Sequence, residues 1–214
     1  MPHRTLVTAL LLVLARPAAA QILKVPAPGD ARRPVAAAFS FGFLQTQGRY
    51  DGASSTYWSL SEALQYRASL EYGLRSGAIG VSGSLARVPL RRTGGSAVAG
   101  SSGDIGLRQL LATFRTPETE GAHQILELGL GLSQWADYAG SDVLTEDEQA
   151  ARNAFTLHVG YGFGFTLGSR ASVILVQDMT TLWGSGEGLP SGESRMQRQY
   201  TTRVGLRYRF SGAR

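Results

Sequence analysis

From Val35 onward, apolar and polar residues alternate along the chain. Phe39, Phe41 and Phe43 share one parity, with Ser40 and Gly42 between them; a period of two is the mark of a strand with unlike faces. Trp58, Leu60, Leu64, Tyr66, Ala68, Leu70, Tyr72 and Leu74 take one parity, broken by Glu62, while Gln65, Arg67, Ser69, Glu71 and Gly73 take the other. Helical spacing would mix these sets. The alternation returns at Ile79, Val81 and Leu85, at Leu126 to Leu132, at Phe155 to Leu167, and at Tyr200, Val204, Leu206, Tyr208 and Phe210. Two stretches, Ile105 to Phe114 and Ala171 to Trp183, carry apolar residues on both parities. The pattern leaves open which way their side chains face.

Eight strands follow, at 35–46, 57–74, 78–90, 103–115, 122–135, 154–167, 171–183 and 198–210. Their connections alternate. "RSGA", "TPETEG" and "GSR" are short, whereas those after the first, third, fifth and seventh strands are long and polar, as in "AGSDVLTEDEQAAR". Short turns therefore share one rim and long loops the other. The glycines of "TLHVGYGFGFTL" look like a phosphate loop, but such a loop must feed a helix N-terminus. Gly160, Gly162 and Gly164 instead form one face of a strand.

Alternation alone does not say which face is inside, because a soluble barrel with an apolar cavity alternates too. The polar parity decides. It is mostly Gly, Ser and Thr with single charges, which suits a cramped interior rather than a water-facing wall. Trp58, Trp135 and Trp183 fall near the long-loop rim, and Tyr72, Phe165, Tyr208 and Phe210 toward the short-turn rim, as aromatic girdles at the two membrane interfaces would. Strands of about ten to fourteen residues suit a tilted bilayer crossing. The expected fold is all-β, an eight-stranded antiparallel up-and-down transmembrane β-barrel over residues 35–214.

The remaining residues are read as export signals. His3 and Arg4, the apolar run Leu6 to Ala15 and Ala18-Ala19-Ala20 form a signal peptide over residues 1–20, cleaved before Gln21. Residues 21–34, with three prolines and no periodicity, read as a periplasmic linker. The chain has no cysteine, which leaves no disulfide and no lipid-bearing cysteine. Of its net charge of +5, Arg4 and Arg16 leave with the leader, and the other arginines are scattered among acids. That spread does not point to nucleic acid. His123 and His158 alone remain as histidines after the leader, so neither a metal site nor another cofactor is expected. Thr145 to Gln149 reads as a capping box opening a short helix in a long loop.

With the signal peptide and the alternating connections in view, the chain resembles the small outer-membrane barrels of Gram-negative bacteria, the OmpA/OmpX/OmpW-like group. Their last strand carries an assembly signal of polar, any, glycine, apolar, any and apolar residues. Arg203, Gly205, Leu206 and Tyr208 fit it, followed by Phe210, with "SGAR" beyond the usual terminal aromatic. The resemblance implies an outer-membrane location, with outer-membrane lipid, lipopolysaccharide and the barrel-assembly machinery as partners. A monomer is expected.

An eight-stranded barrel is just filled by its own side chains, and charges inside must pair. Arg67, Glu71, Arg108, Glu127, His158, Asp178, Arg203 and Arg207 are the expected lumen network. Hairpin spacing sets Arg108 against Glu127, His158 near Asp178, and Asp178 against Arg203. A histidine beside an aspartate is two parts of a hydrolase triad. Some small outer-membrane barrels that resemble this chain in size are lipid A deacylases with a His-x-Ser motif, but Gly160 stands two residues after His158, so no catalytic residue is assigned. The expected role is structural or adhesive through the long loops, and not enzymatic. The alternatives are a narrow OmpW-like transport barrel for small apolar molecules and, third, a lipid-modifying enzyme.

Overall fold

The computed structural model describes residues 35–51, 55–95, 102–140, 152–184 and 195–210. The leader, the linker and the Thr145–Gln149 capping box lie outside them. Ten strands follow in chain order: β1 (Val35–Thr46), β2 (Arg49–Asp51), β3 (Thr56–Leu60), β4 (Ala63–Leu74), β5 (Gly77–Thr93), β6 (Ser102–Arg115), β7 (Ala122–Gly140), β8 (Arg152–Leu167), β9 (Ala171–Trp183) and β10 (Met196–Arg209). All pair antiparallel, and the β5–β6 pairing closes the sheet into an eight-stranded barrel. β3 and β4 together make one wall strand against β5, and β2 is a short flap on β3. The short connections at 75–76, 116–121 and 168–170 share a rim with both ends of the described barrel, where Ala36 pairs Arg209.

Following paired residues once around the wall from Val35 passes Tyr72, Ile79, Phe114, Leu128, Val159, Met179 and Tyr200 and returns to β1 at Gln45. That stagger of ten residues, with ordinary strand spacing, tilts the strands by about 40°. A strand of this tilt crosses a hydrocarbon layer in roughly ten residues. Outward positions form an apolar belt: Phe39, Leu70, Val81, Leu110, Leu130, Phe163, Leu175 and Leu206 all lie at 42–64 % exposure. A water-soluble domain does not expose so large a continuous apolar surface. Arginine at Leu130 or Phe163 is therefore expected to cost about 2 to 4 kcal/mol or to block assembly, read as a shifted urea midpoint in lipid vesicles.

The glycine face of β8 points inward. A side chain at Gly162 would run into the Leu175 carbonyl oxygen, and one at Gly160 would meet Asp178 Oδ1 at 2.5 Å. Glycine here leaves room for the neighbouring strand and for a lumen carboxylate. Gly168, at φ 66°, makes the tight β8–β9 turn in the left-handed region that glycine enters without cost.

The wall departs from the expected strands at two slips. β3 pairs Leu60 with Leu90, yet β4 pairs Gln65 with Ala86, so the chain gains one residue around Ser61–Glu62. One extra residue reverses which parity faces inward. A second shift lies between Asp104 and Gly106, opposite Asp137, whose φ is 54°. The first of these slips is why one parity of 57–74 does not keep to one face of the wall.

Candidate functional site

On β4, β7 and β9 the inward side chains form three tiers in the same order from the long-connection end, with a small apolar cluster of Ile125, Ile174 and Val176 nearer the short-turn rim. β4 presents Ala63, then Gln65, then Arg67 and Glu71; β9, read backwards, presents Leu182, Thr180 and Asp178; β7 presents Trp135, Ser133 and, past two glycines, Glu127. An apolar tier caps the lumen. Beneath it lies a tier of amides and hydroxyls, and beneath that a tier of charges.

The cap consists of Leu44, Trp58, Ala63, Val88, Leu90, Ile105, Leu107, Trp135, Ala154 and Leu182, all buried and in one cluster. Here the expected interface aromatics need correcting. Trp58 and Trp135 are 4 % and 2 % exposed and point into the barrel, not at lipid. Trp58 turns in because the bulge after β3 reverses its parity; Trp135 shares the inward parity of Glu127 and Ser133, opposite to Leu126–Leu132. Neither indole N–H finds an acceptor among the described residues, so packing holds the rings, with Arg152 stacked 4.9 Å above Trp58. Trp183 does lie on the outer wall, 6.0 Å from Phe155. Tyr208 and Phe210 are also outside, edge to face at 5.4 Å.

In the middle tier Gln109 is the junction. Its carboxamide donates to Ser133 and Gln199 at 3.0 and 3.1 Å and accepts from Gln65 and Ser84 at 3.1 and 2.9 Å. Side chains of β4, β5, β7 and β10 thus meet across the lumen at one carboxamide whose donors and acceptor are all engaged, while Gln199 Nε2 finds no acceptor among the described residues.

Glu127 is the hub of the charged tier. Its Oε1 accepts from Arg67 and lies 3.1 Å from His158 Nε2; its Oε2 accepts from Arg115 at 2.9 Å and from Arg203 at 3.2 Å. Asp178 takes Arg203 Nε at 2.6 Å, and Glu71 takes Arg207 Nε at 2.7 Å. Arg207 also donates to Glu118 at 2.8 Å, and Glu118 accepts from Ser172 at 3.1 Å. Four arginines, Arg67, Arg115, Arg203 and Arg207, thereby face four carboxylates, Glu71, Glu118, Glu127 and Asp178. Within this tier the full charges sum to zero, as a water-poor interior favours; Arg92, 1 % exposed, is buried nearer the long connections and stacks over the Tyr138 ring.

Seven of the eight residues expected in the lumen thus sit in this tier: Arg67, Glu71, Glu127, His158, Asp178, Arg203 and Arg207. Arg108 does not. It lies outside, half exposed, and pairs with Asp137. Strand pairing begins at Arg115–Glu127, so the β6–β7 hairpin turns near residue 121 rather than 118, and Arg108 falls opposite Gln134. Arg115 takes the place assigned to Arg108. Glu118 was hidden because it belongs to a turn, where a carboxylate is ordinarily solvated, yet its side chain is 6 % exposed.

His158 also stands 3.1 Å through Nδ1 from the Thr180 hydroxyl and 3.5 Å through Nε2 from Asp178. A hydroxyl and a carboxylate thus both stand in reach of the imidazole, the nucleophile type coming from the next strand rather than from position 160. All of them are at most 5 % exposed beneath the cap. Among the described residues no group of three or more His, Asp or Glu is placed to hold a metal ion.

Solved structures of small outer-membrane barrels share this architecture. Neisserial surface protein A, from Neisseria, superposes with a TM-score of 0.52 at 10 % identity, over 85 % of this chain and 99 % of that one. OprG of Pseudomonas aeruginosa gives 0.47 at 13 % identity over 85 % and 98 %, and Ail of Yersinia pestis 0.45 at 17 % over 82 % and 99 %. No family model and no curated protein sequence matches the chain. The likeness is one of fold: a closed eight-stranded antiparallel barrel of the outer-membrane kind.

Proposed function

We propose that the protein is a non-conducting outer-membrane barrel that anchors its long connections at the cell surface, where they act as a structural or adhesive contact. The observation that carries this reading is the filling of the lumen by its own side chains. A packed apolar cap lies over a hydrogen-bonded amide tier and a charge-balanced salt-bridge tier, so the interior is committed to holding the wall together. What remains to meet a partner is the loop rim. Transport of small apolar molecules would need an open apolar passage in place of the cap, and hydrolysis at His158 would need a substrate route to a buried triad.

Shortening the connections 141–151 and 185–194 to tight turns tests the reading. The barrel is expected to assemble as before, while attachment of cells displaying it to a glycan-coated surface falls to the level of cells lacking it. Attachment that survives the shortening would overturn the adhesive assignment.

A further inference from the structure

One polar pair breaks the lipid-facing belt at its mid-depth. Gln177 is the central residue of β9, outward and exposed, between outward Leu175 and Met179. Thr202, outward on β10, is flanked by Tyr200 and Val204, and on β8 Tyr161 stands opposite Gln177. The Thr202 hydroxyl donates to Gln177 Oε1 at 2.5 Å. That bond leaves both N–H groups of the carboxamide without an acceptor among the described residues. Elsewhere on the outer wall, strong polarity is confined to the rims, as at Arg87, Arg91, Arg108 and Arg198 near the long connections. Hydrocarbon offers an amide no acceptor, and polar side chains at such depth are costly unless something pairs with them.

We propose that the β8–β10 face is a lateral interface with a second copy of this chain, in which the Gln177 carboxamide of one barrel pairs with that of the other. Barrels of one sequence insert with the same rim toward the periplasm. A two-fold axis along the membrane normal therefore brings each residue to its mate at equal depth. A carboxamide is donor and acceptor at once, so a single glutamine near the axis is its own complement. Leu175, Met179 and Val204 supply apolar contact around it. This departs from the monomer expected from sequence, where the mixed parity of 171–183 left Gln177 without a face. The inference rests on membrane placement of the belt, which the Leu130 and Phe163 substitutions test separately.

The absence of native cysteine makes single-cysteine cross-linking direct. In phospholipid vesicles, Leu175→Cys is expected to give an oxidised dimer, and Val81→Cys, on the opposite wall, a monomer. Adding Gln177→Leu to Leu175→Cys should weaken association about 3- to 20-fold, the range of interhelical hydrogen bonds measured in membranes. Thr202→Val, which frees the Gln177 carbonyl, should leave the dimer at or above its original yield. Compact migration on unheated gels confirms assembly of each variant. Equal cross-linking from both walls, a monomer at Leu175→Cys, or a dimer indifferent to Gln177→Leu would overturn the proposal, the last two pointing to lipid or another protein on this face.

Discussion

Glu127→Gln is expected to destabilise the barrel by about 3 to 5 kcal/mol or to prevent its assembly, because it neutralises the one carboxylate on which Arg67, Arg115 and Arg203 converge. The amide keeps the size of the carboxylate and loses its charge, leaving three buried guanidinium groups against the remaining acids. Urea unfolding in lipid vesicles reads the loss. A double-mutant cycle then separates the partners: Arg115 with Glu127 should couple strongly, whereas Arg108 with Glu127 should show no coupling. Arg108→Gln alone removes a half-exposed pair with Asp137 and is expected to cost about 0 to 1 kcal/mol. Equal losses for Arg108→Gln and Glu127→Gln would contradict the assignment of the hub.

Trp135→Ala is expected to cost about 3 to 5 kcal/mol, since it empties a large part of the cap and the wall strands around it cannot close in. The indole is 2 % exposed and packs among Ile105, Leu107, Trp58 and Ala154. Trp183→Ala, on the outer wall beside Phe155, exchanges ring for lipid contact and should cost clearly less. The same urea series measures both. A larger loss at Trp183 would mean that the girdle, not the cap, holds this end of the barrel.

Much of the architecture is legible from period two alone, because lipid outside and a crowded lumen inside impose opposite chemistry on alternate residues. Phe39, Phe41 and Phe43, and Leu126 to Leu132, face outward as alternation requires. Two physical features defeat it. A bulge inserts one residue and reverses the face, which is why Trp58 turns inward although Tyr66 and Leu70 on the same parity turn out. A lumen whose upper tier is apolar removes the contrast between faces, which is why β6, with Ile105, Leu107 and Leu111 inside and Leu110 and Phe114 outside, reads as apolar on both. Arg108 and Arg115 lie within that ambiguity. Hairpin spacing located Asp178 and Arg203 correctly because their register tolerates a shift of two residues along one face; for Arg108 and Glu127 the shift was larger, since β7 runs five residues past the end of β6 before pairing starts at Glu127.

Single-channel recording from the purified protein in planar bilayers tests the sealed lumen most directly. With Leu44, Trp58, Leu90, Leu107, Trp135 and Leu182 packed across one end and the charges beneath them paired, an inserted barrel is predicted to pass no steady current at any applied voltage below that which breaks the membrane. Reproducible conductance steps from the unaltered chain, scaling with salt concentration, would contradict the account and would make the barrel a transport protein.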